Sequence, residues 1–188
     1  MKPALMPGGG KSSKTIHMKN EALYGISKEH AHPRAIELIP EDFFWDCVDE
    51  LAPFGSDEGD MALTEFREWR KANPDKRVRE CLQWVIESVG EMNINAYNED
   101  LLDRDHIKTL MDNPDYDDHH YIFTLDAAII ATGFGQLVDE GIIDAENKMI
   151  ISIALERQIA WALLSESWSY AEQHIGYLNI MKRALEEA

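Results

Sequence analysis

Residues 149–164 read Met-Ile-Ile-Ser-Ile-Ala-Leu-Glu-Arg-Gln-Ile-Ala-Trp-Ala-Leu-Leu. On a helical wheel Met149, Ile150, Ile151, Ile153, Leu155, Ile159, Trp161, Leu163 and Leu164 occupy most of the circumference. A helix that is apolar nearly all round is buried on several sides. The stretch therefore predicts a central helix, capped by Asp144 and running to about Ser165.

The same periodicity continues on both sides. Thr124–Glu140 places Ala127, Ile130, Phe134 and Val138 on one face. Gly133 and Gly135 lie within it at a cost of about 1 kcal/mol each relative to Ala, which points to a close helix crossing, and Gly141 suits the position just past the end. Downstream, Ala171–Glu187 sets His174, Leu178, Met181 and Leu185 on one face. Toward the N-terminus, Asp103–Met111 reads as a short helix with Ile107, Leu110 and Met111 inward. Another runs from about Arg79 to Gly90, with Val78, Cys81, Leu82, Val85 and Val89 inward. A third starts at Asp57 or Glu58, carries Ala62, Phe66 and Trp69, and stops at Pro74. A short one opens at Pro33 and stops at Pro40. Glu91–Asn98 is polar and reads as a loop. Only short runs such as His120–Phe123 could be strands, and no alternating series or internal repeat accompanies them. The expected fold is all-α: a single-domain bundle of about six or seven helices over residues 21–188, with little or no strand. Residues 1–20, rich in Pro, Gly, Ser and Lys and without periodicity, read as a flexible tail.

Composition agrees with a globular chain. Of 188 residues 45% are hydrophobic and 9% aromatic, enough for a core without staples. Two cysteines, Cys47 and Cys81, form no disulfide framework and fit buried thiols in a reducing compartment. No apolar run of about 18 residues is present, so no membrane span is expected, and no apolar segment of signal-peptide length precedes Gly8-Gly9-Gly10. The expected location is the cytoplasm. The 35 acidic and 18 basic side chains give a net charge of −17. Lys2, Lys11, Lys14 and Lys19 stand among residues 1–19 with no acid, so the rest of the chain holds 14 basic against 35 acidic groups, a balance of −21. Such a surface repels nucleic-acid phosphates and suits solubility, cation binding or a basic protein partner.

The chain shows no nucleophile triad, zinc spacing, phosphate loop or dinucleotide fingerprint, and no cofactor is expected. Its most distinctive string is Pro53-Phe54-Gly55-Ser56-Asp57-Glu58-Gly59, preceded by Phe43-Phe44-Trp45. Pro53 fixes φ, Gly55 admits unusual φ, Ser56 or Asp57 accepts free amide protons of the following helix, and Phe54 anchors the turn in the core near Trp45. Asp57, Glu58 and Asp60 favour the helix dipole and also offer a cation or partner site. A second acidic group, Asp112, Asp115, Asp117, Asp118, His119 and His120, has metal-ligand residue types without metal-motif spacing. Its plain reading is a solvated acidic loop. Arg157 sits among Ile150, Ile153, Ala154, Ala160 and Trp161, where a guanidinium needs a carboxylate or must snorkel to solvent. Asp126 is the best candidate partner. Trp69, Trp84, Trp161 and Trp168 fall at core-like helical spacing.

His32-Pro33-Arg34-Ala35, Phe43-Phe44-Trp45, the Pro53–Gly59 string, Trp69-Arg70 and Asn73-Pro74 together resemble the YfeS-like group of bacterial proteins. The similarity runs from about His32 to the last helices. It implies bacterial origin and a shared fold, and it carries over no catalytic residue.

The functional expectation is a non-enzymatic acidic domain that binds a basic protein, an immunity or antitoxin role being a specific version. The competing expectation is a metal-dependent hydrolase that uses Asp57, Glu58 and the Asp112–His120 group, with Asp115, Asp117, His119 and His120 as ligands.

Overall fold

The computed structural model describes residues 25–113 and 119–188. The expected tail at residues 1–20, together with Asp115 and Asp117, lies outside the described residues. Seven α-helices, and no strand, occur among them: α1 (Pro33–Leu38), α2 (Asp57–Ala72), α3 (Val78–Val89), α4 (Arg104–Asp112), α5 (His119–Glu140), α6 (Lys148–Leu164) and α7 (Ala171–Glu187). The domain is thus an all-α bundle. None of the described helices is long and apolar enough to cross a membrane.

Local chemistry sets most of the boundaries. His32 caps α1 through Nδ1, which accepts from the Arg34 amide at 3.2 Å, with Pro33 in the first helical position. Ser56 caps α2 by accepting from the Gly59 amide at 3.1 Å. Asp103 caps α4 by accepting from His106 at 2.7 Å. Gly141 ends α5 with φ of 76°. A Cβ there would strike the His32 imidazole, so this glycine serves both the left-handed turn and the seating of α1.

Both α5 and α6 are central: α6 packs against α4, α5 and α7, as the sequence leads one to expect, and α5 is central as well. Leu125 through Val138 are buried almost without a break, with Ala127 half-buried, and α5 packs against α1, α2, α3 and α6. A Cβ on Gly133 would meet Ile151 of α6, and one on Gly135 would touch Leu63 and Phe66 of α2. The two glycines therefore admit a neighbour on each side of α5. In α6, Ile150, Ile151, Ile153, Ala154 and Leu155 are buried, while Met149 and Leu163 near its ends are more than half exposed. Apolar residues at helix ends reach solvent even on a buried helix, which the circumference pattern does not register.

Several expectations are corrected in detail. His120–Phe123 belongs to the first turns of α5, not to a strand. Asp144 accepts no capping bond; a 3₁₀ turn at Ala145–Asn147 intervenes before α6. Trp84 is 44% exposed on α3, and Trp168 lies between α6 and α7 instead of on a helix. Cys47 is exposed and only Cys81 is buried. Glu91–Asn98 contains a 3₁₀ turn, Ile94–Ala96, and buries Ile94 and Tyr97.

Phe43-Phe44-Trp45 forms a 3₁₀ turn, Asp42–Trp45. Phe44 is its core residue, in edge contact with Trp45 (5.1 Å), Phe54 (5.3 Å) and Phe134 (5.8 Å). Phe54 thus anchors on Phe44, which stands between it and Trp45. Trp45 is half-buried, and its indole N–H donates to the Ile39 carbonyl at 2.8 Å.

Candidate binding cleft

The Pro53–Gly59 string is held by close backbone approach. A Cβ on Gly55 would collide with the Asp49 carbonyl, and one on Gly59 with the Pro53 carbonyl. Only glycine fits either place, so the chain folds back closely on itself just before α2 and again at its first turn. The fold-back turns Val48–Pro53 and Gly55–Glu58 into one wall of a cleft of about 740 Å³. The other wall comes from Phe123, Thr124, Ala127 and Ile130 of α5, Gln158 of α6, and Trp168, Tyr170, Gln173, His174, Leu178 and Met181 in and before α7. The volume lies within the range of small-ligand sites.

The charge of the lining is one-sided. Asp49, Glu50, Asp57 and Glu58 face the cleft, and no Lys or Arg does. Asp49 is fixed in place: Oδ1 accepts from the Leu51 amide at 3.0 Å and Oδ2 from the Tyr177 hydroxyl at 3.0 Å. Tyr177 is itself held flat on Phe43, with ring centroids 3.8 Å apart and planes 8° from parallel.

The cleft also holds a buried polar pair. His174 Nε2 and Gln158 Oε1 are 2.9 Å apart, on α7 and α6. His174 is 5% exposed, and burial pushes its imidazole down to about 4, against the opposing field of Asp49. The ring is therefore neutral near pH 7. With Nε2–H donating to Gln158, Nδ1 is left as an acceptor, and it is buried without a hydrogen-bond partner among the described residues. Beside it Trp168 packs on His174 (5.3 Å) and on Trp161 (5.2 Å), and Phe123 closes on Trp161 (4.3 Å).

Among the residues singled out from sequence, Pro53, Gly55, Asp57 and Glu58 line the cleft. Phe54 and Gly59 sit behind the wall, and Trp45 does not reach the cleft. Asp126 and Arg157 are brought together, buried, away from its lining. Arg157 Nε and Nη2 donate to the two Asp126 oxygens at 2.8 and 2.7 Å. His119 and His120 open α5. No group of three or more His, Cys, Asp or Glu side chains able to hold a metal occurs among the described residues.

Sequence reasoning passed over Asp49, Gln158, Tyr177 and the polar role of His174. One signal was available: His174 and Gln158 each interrupt an inward face, and a buried polar group needs a partner. Comparison of the chain with protein-family models, with curated proteins and with solved structures found no match in any of the three.

Proposed function

We propose that this chain acts by binding a basic protein, with the cleft between the Val48–Glu58 loop and α5–α7 receiving its cationic side chains. The observation that carries this reading is the lining: four carboxylates and no Lys or Arg, beside the aromatic surfaces of Trp168 and Tyr170. The net charge of −17 adds long-range attraction that speeds encounter with a basic partner. Exposed ion pairs contribute only about 0.2–1 kcal/mol each. Useful affinity therefore needs contact as well as charge, and Val48 and Tyr170, 78% and 58% exposed at the cleft, supply apolar contact area.

The test uses a basic model protein titrated against the intact chain, with tryptophan fluorescence or calorimetry as readout. Binding should weaken steeply between about 0.05 and 0.5 M salt as screening shortens. It should be lost in the triple variant Glu50→Gln, Asp57→Asn, Glu58→Gln. Absent or salt-independent binding retires the proposal. Melting with Ca²⁺, Mn²⁺, Zn²⁺ or chelator runs alongside: a midpoint raised by one ion would instead favour the metal-dependent hydrolase.

A further inference from the structure

We infer that the inner end of this cleft is a guanidinium site, in which Asp49 receives an arginine side chain of the basic partner and Tyr177 is the residue that positions Asp49. The inference rests on the binding role proposed above and adds which cation is taken and by which carboxylate.

Asp49 differs from the other acids of the cleft. Glu50 and Asp57 are exposed and Glu58 is half-buried, and none of the three has a side-chain hydrogen bond among the described residues. Asp49 is half-buried and receives one bond on each oxygen, from Leu51 and Tyr177, at 3.0 Å each. A carboxylate has about four lone-pair sites, so roughly two remain for a ligand. Since Tyr177 lies flat on Phe43, the arrangement is set before any ligand arrives, and little ordering is left for binding to oppose.

The neighbouring groups select among cations. His174 presents an unpartnered acceptor nitrogen, buried in the same cleft, so the site as a whole offers acceptors and asks for N–H donors. Asp49 and His174 both line this cleft. Trp168 also lines the cleft and makes an edge contact with the His174 ring, centroids 5.3 Å apart. A guanidinium is planar, carries five N–H donors and stacks on aromatic rings, whereas an ammonium is a compact, strongly hydrated point charge. Two separated acceptors beside an aromatic wall match the former.

The experiment compares two short peptides that differ only in one Arg or Lys, titrated against the intact chain by calorimetry and by the chemical shift of the His174 imidazole. The arginine peptide should bind about five-fold or more tighter than the lysine peptide, because stacking and a second donor are each worth of order one such factor. Asp49→Asn should weaken the arginine peptide about ten-fold or more. Tyr177→Phe should weaken it about two- to five-fold with the fold intact. The His174 resonances should move with the arginine peptide only. Equal binding of the two peptides by the unaltered chain overturns the inference without recourse to any variant. So does Asp49→Asn binding like wild type; if the outer-carboxylate triple variant still loses the basic protein, the binding role itself survives. Free arginine binding more tightly than the peptide overturns a partner side chain as the occupant. Failure of both the peptides and the basic protein to bind brings down both proposals together.

Discussion

Arg157 of α6 holds both carboxylate oxygens of Asp126 of α5, at 2.8 and 2.7 Å, with Asp126 fully buried and Arg157 3% exposed. The Tyr97 hydroxyl donates to the same carboxylate at 2.6 Å, and the guanidinium lies 5.3 Å from the Tyr97 ring centre. Burial pushes the Asp126 carboxyl up, and Arg157 and Tyr97 oppose that. Arg157→Met or Asp126→Leu alone should lower unfolding free energy by about 3–5 kcal/mol, because each leaves the other charge buried without its partner. The double variant Asp126→Leu, Arg157→Met should lose clearly less than the sum, since no charge remains. Tyr97→Phe keeps the ring under Arg157 and should lose about 1–3 kcal/mol. Urea titrations followed by circular dichroism give these values. Additive losses in the double variant would mean that the pair is not a coupled unit.

The glycines of the Pro53–Gly59 string give a prediction of unusual sign. Gly59 is inside the first turn of α2, where Ala in place of Gly ordinarily stabilises by about 1 kcal/mol. Here the added methyl would collide with the Pro53 carbonyl, a backbone atom that cannot swing aside. Gly59→Ala should therefore destabilise by about 2–3 kcal/mol or more, as overpacking does. Gly176 is the control: it lies inside α7, and a methyl there meets nothing within 4 Å. Gly176→Ala should raise stability by about 0.5–1 kcal/mol. Equal and favourable shifts for both substitutions would show that the fold-back at Pro53 is looser than described.

What could be read from sequence was what depends on near neighbours. The start of α2 was legible because Ser56 and the acids after it are a local cap, and the end of α3 because Gly90 stops a periodic face. The Asp126–Arg157 contact was legible for a different reason: each charge sits among apolar residues of its own helix, so each demanded a partner. The matching centrality of α5 was less legible, because it depends on Gly133 and Gly135, which let α6 and α2 approach. The cleft was least legible. Tyr177 and Asp49 stand 128 residues apart, and their hydrogen bond exists only because α7 returns to the Phe43 turn. The Pro53–Gly59 string reads as a turn and a cap, and it is both. Its part in the cleft depends on the far wall, which no local pattern encodes.

His174 makes acid stability a test of the cleft. The imidazole ordinarily titrates near 6.5, and burial lowers it to about 4 in the folded chain. Between these values the unfolded chain takes up a proton that the folded chain refuses. Stability from this group is thus fully present above about pH 6.5 and is lost as pH falls toward 4, by roughly 3 kcal/mol in all. Asp49, Glu50, Asp57 and Glu58 line the same cleft and are present in both wild type and variant. The difference between the two proteins therefore isolates the histidine. His174→Gln should leave that difference constant above pH 7 and shrink it steadily from pH 6.5 to 4, the wild type losing stability faster. Urea unfolding at half-unit pH steps provides the comparison. Parallel curves for the two proteins through this window would show that His174 titrates alike folded and unfolded, and that the cleft floor is wet rather than sealed.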